Sequence, residues 1–440
     1  MPGEIWRQRI QVGKETTAGA AVAATRILYL DNASIKFTKT REPRYHRFAT
    51  GTRDNVRAYT SGAVAAGGEA KLPVSGDELL EWLLVGIQGA VAPTTPSGAT
   101  NARLWTFKPS TSLDSMTVER DDGSGNLSRL TGTRADQIQI AGGVGEANEA
   151  TITFFSQDRE DAWAGPLTGA LTQRDPTFLE GWQTRMWLQN FGAAPQSILV
   201  PWGVLINWDL RVQNQLGRKY TALNTKAASG ITFGELAVEA TLLLEANAAT
   251  TIAELAAWNN DTKRLLTLEF LGPENEIESG ANAVQTITST ASGGTIRLTF
   301  AGQQTGTVPF NASALAVQNA LNALGNVQVG STLGVTCTGG PLPTAVVCTF
   351  VGPLGTQTLP VMTVDNSAAT GGTASVANTT PGRSGRRYVS IDIPGTWSSP
   401  DVDQEDANTR SYSFPFSYVY DATNAFGVQF RVQTNRTTAF

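Results

Sequence analysis

The chain has 440 residues, of which 41% are hydrophobic and 16% are charged, and its formal net charge is −5. This is the composition of a folded protein of about three domains, and the mild negative charge argues against a general nucleic-acid-binding protein. One histidine and two cysteines leave few ligands for a transition metal, and no apolar run is long enough to span a membrane.

The N-terminal residues lack the basic start and the apolar core of a signal peptide. We therefore expect the chain to fold in the cytoplasm in which it is made.

Three pairs of matching segments indicate an internal duplication, which is the first feature to look for in a long chain. The pairs are Glu4–Ile10 with Glu180–Met186 (offset 176), Gly68–Leu72 with Val238–Leu242 (offset 170), and Glu146–Asn148 with Asp406–Asn408 (offset 260). The last pair extends to a match of Phe154 with Phe414. Because the offset increases by 90, about 90 additional residues lie inside the second copy.

The first copy is predicted to be mainly β. Alternation from Ile5 to Val12 predicts a strand with one exposed face. A strand from near Ile27 through Phe37 and a second from Ala63 to Val74 form a predicted hairpin with an extended, basic tip. A helix follows, capped by Ser75 or Asp77, with Leu79, Trp82, Leu83 and Gly86 on one face. Further strands are predicted at Leu104–Phe107, Met116–Glu119, Gln137–Ile140 and Ala150–Phe155.

The second copy repeats this order of elements. It is predicted to open with alternation at Trp182, Thr184, Met186 and Leu188, followed by a hairpin of Leu205–Val212 with Phe233–Leu244. Its helix is predicted to begin with a capping box of Thr251 and Glu254 and to bury Ile252, Leu255 and Trp258. The later strands are predicted at Leu265–Phe270, Tyr388–Ile393, Arg410–Val419 and Phe426–Val432.

The inserted segment runs from about Gly280 to Gly385 and is predicted to be a small α+β unit with glycine-rich, flexible connections. Its helix is capped by Asn311 or Ser313. Cys337 and Cys348 fall in consecutive predicted strands. A cross-strand disulfide is geometrically feasible, but reduced, buried thiols are favoured in a chain that folds in the cytoplasm.

Nothing in the sequence favours catalysis. His46 is the only histidine and lies among arginines without a neighbouring carboxylate, so a Ser–His–Asp arrangement is not indicated. The acidic clusters lie in predicted loops, and the glycines at 142–145 are not followed by a helix that could bind phosphate. We expect no enzyme activity, cofactor or metal site.

The basic hairpin tips are the main candidate for binding. Candidate docking residues are Arg44, Arg47, Arg53, Arg218 and Lys219. They could contact phosphate groups, remain solvated, or dock onto an acidic face of a neighbouring subunit, and docking is the favoured interpretation. The chain supplies an acidic partner of its own, or a lining for a lumen, in Asp401, Asp403, Glu405 and Asp406.

Several segments of the second copy resemble the tail tube proteins of long-tailed, non-contractile phages. They are Val200–Asn207, Asn214–Tyr220, Thr232–Glu239, Asp392–Trp397 and Tyr418–Phe426, and Val12–Gly19 adds a weaker similarity in the first copy. The insert resembles an accessory module of phage virion proteins through Gly340–Pro343 and Leu359–Asp365.

The resemblance implies two tandem tail-tube domains, each a β-sandwich or half-barrel with a flanking helix, and an inserted domain on the exterior. The expected boundaries are 1–170 for the first domain, 171–279 with 386–440 for the second, and 280–385 for the insert. Since tube rings usually contain six such domains, three chains would form one pseudo-hexameric ring, and closing the ring would pair otherwise exposed sheet edges.

The same resemblance implies stacked rings that form a hollow tail tube in the virion, assembled in the host cytoplasm. Its partners would be further copies of itself, tail terminator, tape measure and baseplate proteins, and DNA that passes through the lumen without sequence-specific binding. The long hairpin of each copy would reach into the next ring. A tail terminator or decoration protein is the alternative.

Overall fold

The computed structural model describes residues 8–29, 35–48, 56–161, 167, 171, 177–196, 201–222, 225–246, 249–327, 333–406 and 409–440. Strands predominate within these residues and are accompanied by three α-helices, which confirms the mainly β fold class. None of these helices is long and apolar enough to cross a membrane.

The first repeat, here called unit 1, contains nine strands and one helix. They are β1 (Arg9–Lys14), β2 (Arg26–Ile27), β3 (Lys36–Arg47), β4 (Val56–Pro73), α1 (Gly76–Gly86), β5 (Arg103–Phe107), β6 (Met116–Asp121), β7 (Leu127–Gly143), β8 (Glu149–Ser156) and β9 (Asp158–Asp161).

The second repeat, unit 2, is interrupted by the insert. Its first part contains β10 (Arg185–Asn190), β11 (Leu205–Gln213), β12 (Gly217–Lys219), β13 (Gly230–Thr232), β14 (Ala237–Glu245), α2 (Ala249–Asn259) and β15 (Arg264–Leu271). The insert contains β16 (Val284–Ser289), β17 (Gly293–Phe300), β18 (Gln303–Gln304), β19 (Val308–Pro309), α3 (Ala314–Asn322), β20 (Val335–Gly339), β21 (Val346–Phe350), β22 (Thr363–Asp365), β23 (Ala369–Thr370) and β24 (Ala374–Thr380). Unit 2 then ends with β25 (Tyr388–Trp397), β26 (Asp401–Asp406), β27 (Thr409–Tyr418) and β28 (Gln429–Thr434).

One antiparallel sheet runs through both repeats. Its strand order is β3–β4–β8–β7–β11–β14–β27, and β27 pairs on its far side with the end of β25 and with β26. We call it the shared sheet. The order of strands in unit 1 is repeated in unit 2, with β11 in the place of β3 and β27 in the place of β8.

Each unit also has a side sheet. Strand β5, although it lies in the sequence of unit 1, belongs to the side sheet of unit 2. In unit 1, β1 pairs with β2 and β6, and the first part of β7 pairs with β6 and β9. In unit 2, the order is β10–β15–β25–β28–β5, with Phe107 opposite Phe430. The strand predicted at Leu104–Phe107 therefore exists, but it extends the side sheet of unit 2.

Helix α1 is buried along its whole length. The Ser75 hydroxyl accepts a hydrogen bond from the Asp77 N–H at 3.3 Å, so Ser75 is the N-cap. The ring of Trp82 packs against Phe154 of β8 with 5.4 Å between ring centroids. At the end of the helix, a Cβ on Gly86 would approach the Cβ of Ala135 to 2.9 Å, so the close packing against β7 requires glycine here.

Helix α2 differs from the sequence prediction. It begins at Ala249, so Thr251 lies inside its first turn and no capping box with Glu254 starts the helix. Thr251, Glu254 and Ala257 are buried. Of the residues predicted on the buried face, Leu255 and Trp258 are partly buried and pack against the core, whereas Ile252 is 56% exposed. A polar partner holds Glu254 inward, because its carboxylate accepts a hydrogen bond from the indole of Trp397 at 2.9 Å.

The start of unit 2 also departs from the predicted alternation. Trp182 lies in a 3-10 turn at Gly181–Gln183 and is 68% exposed, and the strand begins only at Arg185. The offset between the two repeats also differs from the sequence alignment at strand β27, near the C-terminal end of unit 2. Strand pairing places Phe416 opposite Ala240 and Ile152 opposite Ala70, so Phe416 corresponds to Ile152.

The insert has its own hydrophobic core, separate from the core that units 1 and 2 share. Sheet β20–β21–β16–β24 and the strands around β17 enclose it with α3, whose N-cap is Ser313. Its two ends are held firmly, in contrast to the predicted flexible connections. Ala281 and Arg383 exchange backbone hydrogen bonds, and Glu278 accepts from the N–H groups of Thr100 and Asn101 in unit 1.

Candidate assembly interface

The joint between the two units is a regular strand pairing. Residues Gln137–Gly143 of β7 pair antiparallel with Asn207–Gln213 of β11. On the face away from the core, the Gln139 side chain donates to Asp209 at 2.9 Å, and Asp209 also pairs with Arg211 at 2.9 Å. Backbone bonds and side chains thus join one repeat to the next as neighbouring strands of a single sheet.

The loop that follows β11 reinforces this joint by packing onto unit 1. The side chain of Asn214 donates to the carbonyl of Gly86 at the end of α1, at 2.6 Å. The guanidinium of Arg218 donates to the Ala66 carbonyl at 2.7 Å and lies over the ring of Phe155. The segment Asn214–Tyr220, which carried part of the family resemblance, is therefore an inter-unit contact.

Two further bonds complete this contact. The carboxylate of Asp136 accepts the N–H of Leu216 at 2.6 Å, and Tyr220 donates its hydroxyl to the Val64 carbonyl at 2.9 Å. Burial raises the pKa of Asp136, while the Leu216 N–H and the charge of Arg218 oppose that increase. Sequence patterns do not predict these two bonds of Asp136 and Tyr220, because the partners are backbone groups distant in the chain.

A buried ionic cluster ties the two units together beneath α1. Glu81, which is fully buried, pairs with Arg26 at 3.1 Å and with Arg436 at 2.7 Å. Asp77 pairs with Arg387 and accepts the hydroxyl of Thr434. The charges are desolvated and mutually paired, so loss of one member would leave a buried charge without full compensation.

The hairpin of unit 1 carries an exposed patch of aromatic and cationic residues. Tyr45 and Tyr59 face each other across β3 and β4, with 5.7 Å between ring centroids, and are 62% and 59% exposed. Phe48 is 54% exposed. Arg44 and Arg47 are exposed on the same hairpin. We call these five residues the hairpin patch, and an exposed aromatic group of this kind is typical of a protein-binding surface.

The remaining candidate docking residues, Arg218, Lys219 and Arg53, do not lie together on one exposed surface of the described residues. Arg218 does not belong to an exposed patch, because it is occupied by the inter-unit contact described above. Lys219 is exposed on β12, and Arg53 lies outside the described residues. His46 makes a hydrogen bond with the Thr60 hydroxyl at 2.9 Å.

The predicted acidic partner lies at one margin of the shared sheet. Asp401 is exposed at the start of β26, where its backbone lies opposite Ser413. Asp403, Glu405 and Asp406 follow along the same strand, and their side chains lie outside the described part of the protein. Within the described residues, β26 pairs only with β27, and β3 at the opposite margin pairs only with β4. The shared sheet therefore has two unpaired edges.

Cys337 and Cys348 lie directly opposite each other on β20 and β21 and are free, buried thiols. A hydrogen bond between the two thiols, together with burial, raises the pKa of Cys348. Because both thiols are buried and the raised pKa of Cys348 keeps it protonated, neither cysteine of the native protein is expected to react with a thiol-specific dye at pH 8. Both thiols should react after unfolding in guanidinium, and rapid reaction of the native protein would contradict this arrangement.

Within the residues that the structure describes, no group of three or more histidine, cysteine, aspartate or glutamate side chains is placed to hold a metal ion.

Comparisons with known proteins give little further guidance. No family model and no curated protein matches the chain. Among solved structures, a chain described as Mycobacterium phage Patience is similar over 49% of this chain and 70% of that chain, with 10% identity and a TM-score of 0.17. A similarity at this level assigns neither the fold nor the function.

Proposed function

We propose that the protein is a structural subunit of a phage virion that polymerises as stacked rings into a hollow tail tube. The observation that carries the proposal is the internal joint, in which β7 of unit 1 and β11 of unit 2 continue one sheet. A unit that continues its sheet into the next unit by a head-to-tail contact can close into a ring. The family resemblance noted above supports a tube of such rings.

Three chains would form the ring, because each contributes two units and tube rings usually contain six. Closure would remove both unpaired edges of the shared sheet, which otherwise are sites for uncontrolled pairing. We do not expect the protein to be an enzyme. DNA would pass through the lumen without sequence-specific contacts.

The hairpin patch is the proposed contact between stacked rings. In unit 2 the corresponding loop folds sideways onto unit 1 through Arg218 and Tyr220, whereas the hairpin of unit 1 ends in exposed side chains. Among the described residues, the hairpin patch of unit 1 is therefore the more exposed of the two loop regions, and a ring of three chains would offer three such patches.

Electron microscopy of the purified protein tests the proposal. Long hollow filaments built from rings with threefold symmetry are expected. Discrete rings that never stack would instead favour a tail terminator, and particles without rings would contradict both assignments.

Removing the insert should leave the tube intact. Its ends are adjacent, since the Ile277 N–H donates to the Gly385 carbonyl at 2.8 Å, so a short linker can replace residues 280–384. The separate core of the insert means that its loss does not open the core of the two units. We expect filaments of unchanged bore and smaller outer diameter, measured in averaged micrographs. A wider bore or failure to assemble would show that the insert is part of the wall.

A further inference from the structure

We propose that the free edge of β3 in one copy of this chain pairs with the edge segment Trp397–Asp401 of a second copy, in the register of the internal joint. The inference rests on the proposed function and deepens it, because it names the residues by which one chain holds the next. Its partner is a second copy of the same chain.

The two hairpins fix which residues of β3 and β11 are equivalent. Lys36 lies opposite Glu69, and Arg211 lies opposite Glu239, the same glutamate in the repeated segment. Lys36 therefore corresponds to Arg211. Ile35 and Leu210, which precede these cations, are both buried aliphatic residues, so the inward and outward faces of the two strands also agree.

The opposite edge can be aligned in the same way. Gln139 on β7 lies opposite Thr151. The counterpart of Thr151 in unit 2 is Pro415, because each lies across from the equivalent position of β4 or β14. The Pro415 carbonyl accepts the N–H of Ser398 at 2.9 Å, so Ser398 corresponds to Gln139.

Copying the internal register gives a specific contact. Inside the chain, Arg211 lies opposite Gln139. Between two chains, Lys36 of one copy would lie opposite Ser398 of the other.

In both joints a carboxylate lies near the cation. In the internal joint it is on the same strand as the cation, and in the proposed joint between chains it is on the opposite strand. In the internal joint, Asp209 pairs with Arg211 and lies opposite Ala141. Two residues before Lys36, where unit 2 has Asp209 before Arg211, the sequence of unit 1 has Ser34, which lies outside the described residues. The position of Ala141 is occupied in unit 2 by Asp401, because Ala141 lies opposite Glu149 and Asp401 lies opposite Ser413, the counterpart of Glu149. The copied register therefore places Asp401 diagonally across from Lys36, within reach of a long side chain.

Both charged groups are available for this contact. Lys36 and Asp401 are exposed, and neither forms an ion pair with any other residue that the structure describes. Opposite charges on the two edges also select the partner. Two β3 edges would bring cations together, whereas β3 against the Asp401 edge brings opposite charges together, so head-to-tail addition is favoured.

The joint between chains is weaker than the joint within a chain. Pro400 lies at the free edge and has no N–H to donate to an incoming strand, a device by which sheet edges avoid premature pairing. The internal joint also has the crossing of β5 onto β28, and unit 2 has no counterpart of β5 between α2 and β15. Chains would therefore fold before they associate.

Engineered disulfides test the register. Lys36→Cys with Ser398→Cys should link neighbouring chains when glutathione disulfide is added to assembled protein. Each pair of thiols passes two electrons and two protons to one glutathione disulfide, which leaves as two glutathione molecules. A non-reducing gel should show linked chains up to a closed species of three. The matched control, Gln139→Cys with Arg211→Cys, should form its disulfide within a single chain, because these residues are opposite each other in the internal joint.

Two further variants make the outcome decisive. Thr38→Cys with Ser398→Cys is displaced by two residues along the strand and should link at least tenfold more slowly. Lys36→Glu and Asp401→Lys should each raise the concentration needed for assembly at least threefold, and combining them in one chain should restore it. Filaments that form while the in-register cysteines stay unlinked would overturn the inference. Linked, closed rings that never stack would support the inference and overturn the proposed tube.

Discussion

Replacing Arg436 with alanine is expected to lower the free energy of unfolding by about 3 kcal/mol. Arg436 is 6% exposed, and its guanidinium pairs with Glu81 and donates to the Asp77 carbonyl at 2.7 Å. Its removal would take one of two guanidinium groups from the fully buried Glu81, which would keep its ion pair with Arg26. The midpoint and slope of urea unfolding, followed by circular dichroism, measure the loss.

A matched control uses an exposed ion pair. Lys71 and Glu149 form a salt bridge of 3.1 Å, with side chains 46% and 50% exposed. Lys71→Ala should lower the free energy of unfolding by no more than about 1 kcal/mol, because solvent screens exposed charges. Equal losses in the two variants would show that the cluster beneath α1 gains nothing from its burial.

Reversing the charges of Arg44 and Arg47 to glutamate should abolish filaments while leaving single rings. Both residues lie in the hairpin patch at the far end of β3, eight and eleven residues along the strand from Lys36, so the pairing proposed around Lys36 does not include them. Sedimentation and electron microscopy should show rings in place of filaments. Arg297→Glu, an exposed change of the same sign in the insert, should leave filaments unaffected. Filament growth by the double variant at the normal rate would exclude the hairpin patch as the stacking contact.

Much of the fold could be predicted because periodicity and local capping are encoded in neighbouring residues. The two hairpins, helix α1 with its Ser75 cap, and the α+β character of the insert all follow from such patterns. The bounds of the first hairpin do not, because Ile27 lies in β2 and β3 runs through much of the basic segment of the predicted tip. Long-range pairings do not. Strand β5 joins the side sheet of unit 2 because Phe107 meets Phe430, a partner more than 300 residues away in the chain.

The errors have a common physical origin in buried polar partners. Periodicity assigned Ile252 to the buried face of α2, but the hydrogen bond from Trp397 and the ion pair with Arg264 turn Glu254 inward. A basic loop predicted that Arg218 would be free for docking, yet its guanidinium lies over Phe155. From sequence alone a charged side chain is predicted to be exposed, because the partner that would allow its burial is not known.

The internal joint has a kinetic consequence. Because β7 and β11 belong to one polypeptide, they meet at an effective concentration set by the connecting chain, independent of how much protein is present. Every second wall joint of a closed ring would then form as each molecule folds, so only the joints between molecules depend on collisions. Dilution would slow the formation of the joints between molecules and would not affect the joints within each molecule.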